Sequence, residues 1–181
     1  MIVAFTGAGI SKESGIDTFQ DRPGIRDKLT RQFAKTHPAE YREVIREFVN
    51  ATKGKEPNDA HYALAQYKIP VITMNIDTLH EQAGSTEIIK VHGRLPADEE
   101  ELRICDQLVG VPVLYGDPAP NYAKAYDIIY GLSENDTLLI VGASSDTSFA
   151  YDVRAIAKLN GAKVVEIQDN AATKVREFLI K

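Results

Sequence analysis

Ile2-Val3-Ala4-Phe5-Thr6-Gly7-Ala8-Gly9-Ile10-Ser11 begins with a short apolar run that passes straight into a glycine-paired turn. Such a run closed by glycine reads as a strand buried on both faces, the kind a parallel sheet contains. Similar runs recur at 70–73, 87–91, 111–114, 137–141 and 163–167. Between them the pattern becomes helical. Tyr41, Val44, Ile45, Phe48 and Val49 repeat at helical spacing, with Pro38 near the start and Gly54 just past the end. Further helices are expected from near Asn58, carrying Ala60, Ala63 and Leu64, and over 150–159 and 171–180. Strands alternating with helices imply right-handed crossovers and a Rossmann-like, doubly wound α/β fold with helices on both faces of a parallel sheet.

Two stretches break the alternation. The polar span 12–35 reads as a long functional loop with short helical pieces, and within 96–108 the run Asp98-Glu99-Glu100-Glu101 heads a short acidic-capped helix. A chain of 181 residues, 44% of them apolar, supports one good core, so residues 1–181 are read as a single domain. Segments 12–57 and 94–110 are candidate insertions that form a reduced small subdomain.

Net charge is −5 with both signs interspersed, and no Lys/Arg-rich run matches the phosphates of a nucleic acid. No apolar stretch approaches the roughly 20 residues of a membrane span. The single cysteine, Cys105, has no partner for an internal disulfide, and the chain opens on a strand rather than a leader, which points to the cytoplasm. One cysteine and four scattered histidines offer no metal-ligand cluster, so no metal is expected.

Ligands of open α/β sheets sit outside the carboxyl ends of the strands. Four such ends carry distinctive residues: Gly7, Ala8, Gly9 and Ser11; Asn75, Ile76 and Asp77; His92 and Gly93; and Gly142, Ala143, Ser144 and Ser145. Gly7 and Gly9 suit close approach of a pyrophosphate, although Lys12 stands where the dinucleotide fingerprint asks for a third glycine, and two glycines in a strand-to-helix turn need no ligand. Asn75 and Asp77 alternate around Ile76; they would hold a carboxamide or ribose hydroxyls, or form an Asx turn capping a helix at Thr78-Leu79-His80. His92 is a general base or a hydrogen-bonded structural histidine. His37, His61 and His80 read as structural. Ser144 or Ser145 with His92 would suggest a hydrolase, but the Gly-x-Ser-x-Gly elbow is missing.

Taken together, Gly7-Ala8-Gly9-Ile10-Ser11-Lys12-Glu13-Ser14-Gly15-Ile16-Asp17-Thr18-Phe19 resembles the opening NAD-binding motif of the sirtuin family. The segments beginning at Pro57, Asn75, Val91, Val113 and Gly142 resemble that family's later motifs in the same order. The resemblance implies an NAD-dependent protein lysine deacylase that releases nicotinamide and O-acyl-ADP-ribose, with NAD and an acyl-lysine protein or peptide as partners. In it His92 is the general base for a ribose hydroxyl and Asn75 positions the reacting ribose. Ile76 and Asp77 hold the nicotinamide carboxamide. Gly7, Ala8, Gly9, Ser11, Phe19, Gln20, Gly142, Ala143, Ser144 and Gln168 line the cofactor, and Val113, Leu114, Tyr115 and Gly116 meet the substrate.

The chain departs from the family pattern at Gln20, Met74 and Gln168, and most of all between Gly93 and Val111. There 17 residues with Cys105 alone replace a ribbon of four zinc-binding cysteines. The shortened wall leaves open an NAD glycohydrolase or ADP-ribosyltransferase, and Met74 with Gln20 leaves open a non-catalytic NAD or ADP-ribose sensor.

Overall fold

The computed structural model describes residues 1–18 and 22–181. Strands β1 (Ile2–Thr6), β2 (Val71–Thr73), β3 (Ile88–Lys90), β4 (Thr137–Val141) and β5 (Lys163–Ile167) form a parallel sheet in the order β3-β2-β1-β4-β5. Ala4 on β1 is flanked by Val71 on one side and Leu139 on the other. The chain winds outward from β1 to β3, then returns to β4. The strand order therefore reverses between β1 and β4, and the loops after these two strands flank the crevice where ligands of such sheets bind.

The period-2 alternation of β1 and β4 sorts their residues onto two cores. Val3, Phe5, Leu138 and Ile140 pack beneath α7 (Pro120–Tyr130) and α8 (Ser148–Leu159) through Ala125, Ile129, Phe149 and Val153. Ala4, Leu139 and Val141 face α4 (Asp59–Gln66) and α9 (Ala171–Ile180) through Ala60, Leu64, Ala171 and Val175. The span 12–35 holds the expected short pieces. A 3-10 helix over Ala8–Ser14 is followed by α1 (Ile25–Lys28) and α2 (Arg31–Thr36), which lead into α3 (Pro38–Thr52). A third core joins α1 to α3 with 95–114, through Ile25, Tyr41, Ile45, Leu95, Leu102, Cys105 and Leu114. Here α6 (Glu99–Arg103) is capped by Asp98, whose Oδ1 accepts the Glu101 amide at 2.8 Å. No helix among the described residues is long and apolar enough to cross a membrane.

Residues 111–114 do not form the expected strand. The β-branched composition is there, but Pro112 has no amide for a ladder, and its peptide bond with Val111 is cis. The neighbouring amides go in different directions instead. Val113 N–H donates to the His92 carbonyl, Leu114 N–H to Asp117 Oδ2 and Tyr115 N–H to the Leu29 carbonyl. Helix α7 is not among the expected elements, although Tyr122, Tyr126 and Ile129 recur at helical spacing behind Pro120.

Arginines clasp the segment after Gly93. Arg31 donates to both carboxylate oxygens of Asp117 at 2.7 Å and to the carbonyls of Asp106 and Leu108 at 2.7 and 2.8 Å. Arg42 pairs with Asp106, Arg46 with Glu99 and Arg94 with Glu101. The exposed pairs contribute little individually, whereas Arg31 and Asp117 are largely buried. Arg31→Ala is expected to cost about 2–4 kcal/mol, because it strands a buried carboxylate and two carbonyls. Urea unfolding measures this; a midpoint equal to the parent's would show that the clasp is dispensable.

Candidate active site

The carboxyl edge of the sheet is tied together by hydrogen bonds between successive loops. Gly9 N–H donates to the Gly142 carbonyl at 2.8 Å, and Gly7 N–H to the Val141 carbonyl at 3.0 Å. A Cβ on Gly9 would lie 2.5 Å from Gly142 Cα, and one on Gly142, at φ 59°, would lie 2.2 Å from Ile10 N. The glycines therefore let the loops after β1 and β4 touch backbone to backbone. The amides of Gly7 and Gly9 are engaged in that contact.

On the other side of β1, Asn75 Nδ2 donates to the Gly7 carbonyl at 3.1 Å and to Ser11 Oγ at 3.3 Å. Ser11 Oγ donates in turn to Asp77 Oδ2 at 3.0 Å, while Asp77 Oδ1 accepts the Leu79 amide at 3.0 Å. The last bond is the Asx turn anticipated as one alternative, at the start of α5 (Leu79–Gln82). Asn75 and Asp77 also line a pocket with Ala8, Ser11, Ile16, Phe48, Ile76 and Leu95. Burial pushes the Asp77 carboxyl up, against the bonds from Leu79 and Ser11 that favour its charge.

His92 follows β3, and its Nδ1 lies 3.1 Å from the Met74 carbonyl. A carbonyl only accepts, so Nδ1 carries the proton and Nε2 holds the lone pair. Burial lowers the imidazole pKa, so the ring is poised as a neutral base. Its Nε2 partner is Tyr122 Oη at 2.6 Å, not Ser144 or Ser145. Tyr122 went unnoticed in the sequence because it lies 30 residues away on a helix that was itself missed.

The far side of the crevice is more polar. Ala143, Ser144 and Gln168 line an open pocket with Arg154 and Glu166. Gln168 Nε2 donates to the Ala143 carbonyl at 3.0 Å, and Arg154 Nη2 to the same oxygen at 2.6 Å. Arg154 also pairs with Glu166, a link the sequence did not announce.

The substrate candidates divide. Tyr115 is exposed and Gly116 follows it at φ 95°, whereas Leu114 is buried in the third core. The amides of 113–115 are all engaged within the protein, as described above. Phe19 and Gln20 lie outside the described residues. Among the described residues, no three His, Cys, Asp or Glu side chains are grouped to hold a metal ion.

The Sir2 family model matches residues 7–99. An NAD-dependent protein deacylase of Thermococcus sibiricus is 30% identical over 99% of this chain and 86% of its own length. One of Thermococcus kodakarensis is 32% identical over 99% and 84%. Among solved structures, a Sir2 homologue bound to NAD aligns with a TM-score of 0.83 at 23% identity over 99% of this chain and 88% of that one, a likeness of fold. A Sir2 protein bound to a p53 peptide and NAD aligns at 0.76 with 27% identity, over 99% and 90%. With the glycine loops, the Asn75–Asp77 pocket and His92 gathered on one sheet edge, this chain belongs to the Sir2 family.

Proposed function

We infer that this protein is an NAD-dependent protein lysine deacylase. The observation that carries the reading is the meeting, at one sheet edge, of a neutral buried base, His92, with a pocket that presents Asn75 and Asp77 among apolar walls. The pocket suits a flat ring bearing a carboxamide: Ala8, Ile16, Ile76 and Leu95 offer apolar faces, and Ser11, Asn75 and Asp77 offer polar groups. The glycine contact joins the loops after β1 and β4 at the crevice, where a diphosphate would lie across them.

Bound NAD supplies a ribose carbon that becomes electrophilic as nicotinamide leaves. In this reading Asp77 and Ile76 hold the carboxamide, and Asn75, fixed by Gly7 and Ser11, orients the ribose. Gly142, Ala143, Ser144 and Gln168 take the adenosine half. Phe19 and Gln20 are assigned to the cofactor by the sequence motif alone. His92 accepts the proton of a ribose hydroxyl at Nε2. Tyr115, with Val113 and Gly116, faces the acyl-lysine, and Leu114 supports that segment from the core. Residues 12–57 and 94–110 act as a reduced small subdomain held by the arginine clasp. The deacylase activity of the relatives and the peptide complex among the solved structures support the same substrate class. The cytoplasm is the proposed location.

Nicotinamide release from NAD, measured with and without acetyl-lysine and longer acyl-lysine peptides, tests the reading. Release that requires peptide is expected. The engaged amides at 113–115 and the short wall at 94–110 favour NAD hydrolysis as the second reading, and release indifferent to peptide would select it. If NAD raises the melting temperature with no product at all, the protein is a sensor instead.

A further inference from the structure

His92 has a single basic lone pair, at Nε2, and Tyr122 holds it through a 2.6 Å hydrogen bond. The hydroxyl must be the donor there, because Nδ1 already carries the ring proton toward the Met74 carbonyl. Asn121 Nδ2 donates to the Lys90 carbonyl at 2.9 Å and so fastens the start of α7 to the end of β3. The Tyr122 ring meets Phe149 edge to face at 4.6 Å, and Phe149 meets Phe5 at 5.7 Å. A ribose hydroxyl that is to lose its proton to His92 needs the same place, within about 2.6–3.2 Å of Nε2.

We propose, building on the deacylase reading, that Tyr122 is a positioning residue. In the ligand-free site its phenol covers the Nε2 lone pair and fixes the histidine tautomer, and it yields that lone pair to the ribose hydroxyl when NAD and acyl-lysine are bound. In the step itself the ribose O–H bond breaks as the Nε2–H bond forms, and the electron pair stays on the oxygen. Tyr122 keeps its own proton and gives up only a hydrogen bond. The base is thereby shielded from water until substrate arrives.

Among the described residues, few other groups bear on the ring. The Met74 carbonyl faces it from the end of β2 and Tyr122 from α7, and the Tyr115 phenol acts electrostatically on Tyr122. Lys90, on β3, is turned to Glu81 and the Asp77 carbonyl. A hydroxyl donated to the neutral ring favours the neutral form, so removing it should raise the His92 pKa.

Tyr122→Phe keeps the aromatic packing and removes only the hydroxyl. Histidine NMR of the ligand-free protein, with His92 assigned from His92→Ala, is expected to show the Nδ1–H tautomer in the parent. The His92 titration should then move to higher pH in Tyr122→Phe. In kinetics with NAD and acetyl-lysine peptide, the acid limb of kcat/KM, which reports the free enzyme, should move the same way. The acid limb of kcat should stay in place, with kcat within about threefold of the parent. An unmoved His92 titration in the ligand-free variant overturns the proposal. So does a loss of kcat of about tenfold or more, which would put Tyr122 in the proton path. If neither protein shows peptide-dependent release while the NMR titration still moves, the deacylase reading fails and the yielding to substrate fails with it, leaving the contact as structure only.

Discussion

His92→Ala is expected to lower peptide-dependent nicotinamide release and deacylation by about 10²–10⁴-fold, the loss typical of removing a general base. Binding of NAD should change little. The imidazole touches the Met74 carbonyl and Tyr122, whereas the pocket residues Asn75, Asp77 and Ser11 hold one another without it. Isothermal titration with NAD, set beside steady-state rates, separates the two effects. Turnover equal to the parent's would remove His92 from the chemistry and with it the assigned mechanism. Loss of NAD affinity in step with rate would mean that the ring holds the cofactor rather than the proton.

The parts of the site that were legible in the sequence are those built from local pattern. The apolar run 2–6 entering Gly7-Ala8-Gly9 announced both the central strand and its turn, and the β-branched runs at 137–141 and 163–167 announced β4 and β5. Strand ends in a parallel sheet share one edge, so placing the strands placed His92 beside Asn75. The failures have one physical cause. At 111–114 composition suggested a strand, but ladder formation depends on amide direction, and Pro112 with its neighbours sends the amides elsewhere. Arg31 finds Asp117 across 86 residues and Tyr122 finds His92 across 30. Such partners follow from tertiary packing alone, and spacing carries no trace of them. Even the glycines were read for their flexibility beside a ligand, whereas Gly9 and Gly142 are also required by a contact between two loops.

Acid should unfold this protein through two histidines that the mechanism does not use. His61 and His80 are buried against each other with ring centroids 4.9 Å apart, and burial holds their pKa values down to about 4 and about 3. The bonding explains why both stay neutral. His61 Nδ1 accepts the Asn58 amide at 3.3 Å, so its proton sits on Nε2, which has no partner among the described residues. Thr6 Oγ1 donates to Thr73 Oγ1, so it accepts from His80 Nε2 at 2.9 Å and leaves the unpartnered His80 Nδ1 as an acceptor. A proton added to either ring is buried without a counter-charge. In the unfolded chain both rings titrate near 6.5, so below that pH the unfolded state binds protons that the folded state refuses. Stability is therefore complete above about 6.5 and falls by roughly 1.4 kcal/mol per pH unit for each ring. From pH 7 to pH 5 the pair removes about 4 kcal/mol, a large share of the roughly 5–15 kcal/mol of an ordinary domain. His92, lowered by burial, steepens the slope, and Asp77, raised by burial, opposes it. Asp136 and Glu101, both held at about 2 by their partners, lose their contribution only below the carboxylate range, at more acid pH. Urea unfolding at pH 7, 6 and 5 measures the slope. His80→Gln retains a donor for Thr6 without a titrating group and should lose about half of it; equal parent stability at pH 7 and pH 5 would refute the assignment. The effect reaches the active site, because Thr73 Oγ1, which accepts from Thr6, also receives the Asn75 amide at 3.0 Å. Acid that loosens the histidine pair thus loosens the residue that orients the ribose.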